Sequence, residues 1–120
     1  MKSQDELPII RAWYEFLIWI IPKIGKFPRD LRFTLGERLE QRILAVLELL
    51  IRARYDKHRL DLLQEANTEL DVILYLLRAA HDLKALPTKA YGDASGKLLE
   101  VGKQLGGWKR TSEPPNVDQE

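Results

Sequence analysis

Apolar residues return along this chain at alternating steps of three and four, and the pattern occurs four times. In the first segment Ile10, Trp13, Leu17, Ile20 and Ile24 share one face of a 3.6-residue helix. Gly25-Lys26-Phe27-Pro28 then breaks the repeat. The second segment aligns Leu35, Leu39, Ile43, Val46, Leu50 and Ala53. Two starts fit it: Pro28 as a first-turn proline, or Thr34-Leu35-Gly36-Glu37 as a capping box. The third segment is the strictest, with Leu63, Ala66, Leu70, Ile73, Leu77 and Ala80 spaced 3-4-3-4-3. Leu86-Pro87-Thr88 closes it and offers Thr88 as the N-cap of the fourth. The fourth carries Tyr91, Ala94, Leu98, Val101, Leu105 and Trp108, and Gly106-Gly107 supplies a stop. No stretch alternates as a strand does.

Four helical segments joined by short breaks predict an all-α fold, an up-and-down antiparallel four-helix bundle. At 120 residues the chain is one domain, with the bundle expected over residues 1–110. Beyond Trp108 the segment KRTSEPPNVDQE has no apolar period, so residues 111–120 read as a disordered acidic tail. Cysteine is absent, which removes disulfide and thiolate chemistry. The most apolar run, residues 16–21, is shorter than the roughly twenty residues a membrane span needs. It also lacks the basic start and cleavage site of a signal peptide. No membrane contact is expected, and a cytoplasmic location is.

The second helix carries more apolar surface than a lone bundle uses. Leu44, Leu47 and Ile51 widen its stripe to roughly 220° of the circumference, against a little over 100° for a helix packed on one side. In the first helix Ile18 and Trp19 lie off the main seam, beside Arg11 and Glu15. These five residues read as an oligomer interface, the alternative being an irregular core with some apolar exposure. Gly92, Gly96 and Gly102 in the fourth helix fit either close helix approach or local fraying.

The net charge of +1 conceals an asymmetry. Residues 23–59 hold ten Lys/Arg against five Asp/Glu, while the last ten residues hold three acids and no base. On the second helix Arg38, Arg42 and Arg52 fall within about 80° of one another, over about 21 Å of axis. Arg59 joins them if that helix continues far enough. Such a row suits a phosphate backbone, because each guanidinium offers a bidentate fork. An acidic protein surface, or a solvated face with Glu37, Gln41 and Glu48 as local partners, would account for the same residues. Arg78, His81 and Lys84 are neighbours at three-residue steps on the third helix. Tyr55, between Arg54 and Lys57, is compatible with base stacking and equally with packing at a helix end.

Catalysis has little to draw on. The two histidines, His58 and His81, follow Tyr55 and Arg78 at three residues rather than the glutamates of a di-iron bundle. No Gly-rich phosphate loop follows a strand. A non-enzymatic protein with no cofactor and no metal is the expectation.

The chain resembles the accessory variability determinant (Avd) proteins of diversity-generating retroelements. The resemblance is carried by Phe27-Pro28-Arg29 leading into Arg32-Phe33-Thr34-Leu35-Gly36-Glu37-Arg38-Leu39-Glu40. It continues in Leu77-Arg78-Ala79-Ala80-His81-Asp82-Leu83-Lys84, in Tyr91, and in Gly102-Lys103-Gln104-Leu105-Gly106-Gly107-Trp108. It implies a homopentameric barrel of bundles that binds the element's reverse transcriptase and RNA or DNA. In that role the protein supports mutagenic copying of a template repeat without catalysing it. Arg38, Arg42, Arg52 and Arg59, with Arg78 and Lys84, are then the expected nucleic-acid and partner contacts. A neighbouring resemblance is to the four-helix proteins of ribosomal-RNA intervening sequences, and a purely structural oligomer is a third reading.

Overall fold

The computed structural model describes residues 7–114, all helix and connecting turns. Helix α1 is Pro8–Ile24. Helix α2 covers residues 29–55 in three continuous pieces, Arg29–Leu31, a π-helical Arg32–Gly36 and Glu37–Tyr55. Helix α3 is Leu60–Asp82 and helix α4 is Thr88–Ser112. Short connections make sequential helices antiparallel neighbours, and α4 returns to pack on α1 as well as α3, which closes a four-helix bundle. The molecule measures 56 × 35 × 22 Å. Among the described residues no helix is long and apolar enough to cross a membrane.

The 3-4 repeat places the core well. All six expected residues of α3 are buried, as are Leu39, Ile43, Val46, Leu50 and Ala53 of α2. Ile9 and Phe16 of α1 and Leu49 of α2 join them, while Leu17, Leu35, Tyr91 and Trp108 are half-buried at the edge. Trp13 is fully enclosed, and its one polar atom is satisfied: Nε1 donates to the Ile43 carbonyl at 2.9 Å, tying α1 to α2.

Three local expectations need correction. Pro28 occupies the cap position ahead of Arg29 rather than the first turn, and Thr34 caps nothing. Thr34 lies inside α2, where its hydroxyl donates to the Asp30 carbonyl at 3.0 Å and lies 3.3 Å from that of Leu31. The reason is the wide turn: the Glu37 amide reaches back five residues to the Arg32 carbonyl, and a side chain takes up a carbonyl the shifted ladder leaves over. Gly36 makes this packing possible, since a Cβ there would stand 3.1 Å from Ile24 Cγ2 and 3.4 Å from Phe27 Cδ2.

Thr88 likewise is the first helical residue of α4 behind Pro87, with no side-chain cap bond; its hydroxyl instead meets His81 Nε2 at 3.1 Å. Gly106-Gly107 does not stop α4, which runs on to Ser112 with the Arg110 guanidinium folded back against both glycines. Helix therefore extends two residues past the expected boundary at 110 and takes in Thr111 and Ser112 of the expected tail. Glu113 and Pro114 follow outside the helix and are exposed, while residues 115–120 of that tail, like residues 1–6 of the expected bundle, lie outside the described residues. Gly92, Gly96 and Gly102 are helical too, and among the described residues nothing approaches a Cβ built at Gly92 or Gly96 within 4 Å, so close approach of another described helix does not explain that pair.

Candidate nucleic-acid and assembly interface

The cations expected to form one row along α2 are separated by what packs beside them. Arg42 faces α3 and donates through Nη1 to Glu69 Oε2 at 2.9 Å. The Glu69 side chain is only 14% exposed and its other oxygen has no partner among the described residues, so Arg42 supplies the counter-charge to a largely buried carboxylate. Leu49, on the same flank, is buried. That flank is the α2–α3 contact, not an outer surface opposite the core. Arg38 and Arg52 stand on either side of Arg42 along the helix, both exposed, with no ion-pair or hydrogen-bond partner among the described residues. Arg59 is not on α2 at all, because the helix ends at Tyr55. Its Nε donates to the Asp56 carbonyl at 3.1 Å, and its guanidinium lies 5.7 Å from the Trp108 ring centroid.

The third-helix trio does not share a face either. His81 stacks on Tyr91 with ring centroids 4.9 Å apart and ties the α3–α4 corner to Thr88. Lys84 lies beyond the helix end at φ 67°. There the amides of Lys84 and Ala85 bond back to the carbonyls of His81 and Ala80, a Schellman closure that usually employs glycine. Arg78 remains exposed, with a loose 4.0 Å pairing to Asp82.

The expected interface residues divide into two surfaces. Leu44 is 46% and Ile51 42% exposed, and Leu47 is half-buried between them. They lie about 140–180° round α2 from Arg42, which directs them away from α3. Ile18 of α1 is 54% exposed. Trp19 belongs elsewhere: its ring lies between the ammonium groups of Lys23 and Lys97, at 4.5 and 5.0 Å, on the side of α1 that meets α4. It lines a shallow recess of about 590 Å³ with Gly92, Asp93, Gly96, Lys97 and Glu100.

One surface was not anticipated. The π-helical start of α2 and the end of α3 enclose an apolar groove of about 680 Å³, floored by Leu31, Leu35, Leu76 and Ala79 and flanked by exposed Phe33 and Leu83. Thr34, Glu37, Arg38 and Gln41 are its polar lining. The signal available in the sequence was Phe33, an aromatic residue among polar neighbours and off the helix repeat.

The sequence model of a family described as bAvd-like matches residues 8–112, nearly the whole described chain. No curated protein matches.

Proposed function

Because this chain belongs to the bAvd-like family, we propose that it is the non-catalytic accessory subunit of a diversity-generating retroelement. In that role it self-associates, binds the element's reverse transcriptase and holds template RNA or its cDNA during mutagenic copying in the cytoplasm. The observation that carries this reading is the pairing of two kinds of unspent surface on one small bundle. Ile18, Leu44 and Ile51 remain bare after the core has closed, which favours assembly through an apolar contact. Arg38 and Arg52 are exposed and have no partner among the described residues, which favours a polyanion or an acidic partner surface.

Light scattering coupled to size exclusion tests the assembly. The expected mass is five times the 14.0 kDa chain and stable between low and high salt, since burial of apolar area is insensitive to screening. A single-chain mass at both salts overturns the oligomer. Retention of a diversity-generating retroelement reverse transcriptase on the immobilised protein tests the partner. Failure to retain it would leave a structural oligomer.

A further inference from the structure

We propose that the turn between α2 and α3 is a stacking site for single-stranded nucleic acid, with Tyr55 as its platform and Arg52 and Lys57 as its phosphate ligands. This rests on the nucleic-acid reading above and narrows it to one class of strand and one place.

Tyr55 is the last residue of α2 and is 76% exposed. That exposure removes the alternative of a ring packed at a helix end. The chain leaves the helix immediately after it, Asp56 taking φ −102° and ψ 130°. The Asp56 carboxylate accepts the His58 amide at 2.8 Å, and its carbonyl accepts Arg59 Nε. The one acid of residues 52–59 is thus engaged in shaping the turn, while four cations share the same eight residues. Arg59 on Trp108 fastens the turn to the end of α4.

The cations then have different tasks. The Arg54 guanidinium sits 5.5 Å from the Tyr55 ring centroid, and most of the ring stays in solvent. Arg52 and Lys57 have no side-chain partner among the described residues, and with Tyr55, Ile51, Asp56 and His58 they line an open recess of about 550 Å³. A flat exposed ring beside unpaired cations is the arrangement that holds unstacked bases while the phosphates meet positive charge. A duplex presents its bases already stacked and gives the ring nothing to hold.

Anisotropy titrations on the full chain compare labelled dT20 and U20 with an abasic strand of equal phosphate number and a blunt duplex. The expected result is about tenfold tighter binding of the base-bearing single strands at equal salt, consistent with one base stacked on one ring. Tyr55→Ala should erase that difference without altering the salt slope, and Tyr55→Trp should keep it. Equal affinity for abasic and base-bearing strands overturns the stacking site and leaves general phosphate binding standing. A change in assembly mass in Tyr55→Ala also overturns it, because the ring would then belong to a subunit contact. Absence of binding to every strand at low salt overturns both this inference and the reading beneath it.

Discussion

The two flanks of helix α2 use their side chains in opposite ways. On the flank against α3, Leu49 is buried and Arg42 is committed to Glu69. On the outer side, Leu44 and Ile51 are exposed, and nothing among the described residues covers them. A helical wheel read alone assigns the arginines to an anionic partner and the excess apolar residues to a subunit contact. The packing changes the first half of that assignment at Arg42, which pairs with Glu69, and leaves Leu44 and Ile51 facing outward. What decides is the position of the neighbouring helix: α3 lies across one flank, so the charge there pairs inside the fold, while the apolar residues opposite stay exposed.

The comparison breaks most visibly on the bare side. Leu44→Glu combined with Ile51→Glu should reduce the assembly to a 14.0 kDa chain, with association weakened by more than about a hundredfold, because like charges would be buried against an apolar surface. Helicity by circular dichroism should be unchanged, since neither residue is in the core. An unaltered mass would show that the bare flank is not a subunit contact.

On the covered flank the effect should fall on folding instead. Arg42→Ala leaves the Glu69 carboxylate 14% exposed with no counter-charge, at an expected cost of about 2 kcal/mol in urea denaturation, discounted for the partly exposed arginine. Its nucleic-acid affinity, measured where the variant is folded, should stay close to that of the parent chain. A stable variant with a large loss of nucleic-acid binding would return Arg42 to the anion-binding row.

The bundle was legible because its signal is repeated: six of six expected residues of α3 are buried, and α1, α2 and α4 depart from expectation only at stripe edges. The site was less legible because a wheel assumes an unbroken 3.6-residue period and knows nothing of neighbours. The π-turn at Arg32–Gly36 breaks the period, so neither the groove beside Phe33 nor the role of Thr34 follows from spacing. Arg59 fell off the expected row because α2 stops at Tyr55, a stop that rests on the Asp56 turn. His81 was visible as a surface histidine, but its stacking on Tyr91 joins residues ten apart across a corner. Likewise Gly106-Gly107 reads as a stop until Arg110 is seen lying over it.

Arg38 offers a smaller and sharper test, since it is exposed and has no partner among the described residues, beside an Arg42 paired with Glu69. Arg38→Ala should leave the melting temperature unchanged. Its nucleic-acid affinity should fall about fivefold at low salt, with the salt slope lower by about one. Unchanged binding combined with loss of the reverse transcriptase would assign Arg38 to the apolar groove it lines rather than to phosphate.

The smallest effect compares glycines on covered and bare surfaces. At Gly36 a Cβ meets Ile24 at 3.1 Å and Phe27 at 3.4 Å, both buried, so the helix-propensity gain of alanine is opposed by overpacking. At Gly96 a Cβ meets nothing within 4 Å, and the same exchange should stabilise the isolated fold by about 0.5–1 kcal/mol. Denaturation of Gly36→Ala and Gly96→Ala should therefore differ in favour of the second. If Gly96→Ala instead loosens the assembly, the recess beside Trp19 is closed by another subunit approaching the α4 backbone. The bare surface of the chain would then extend from α2 round to α4.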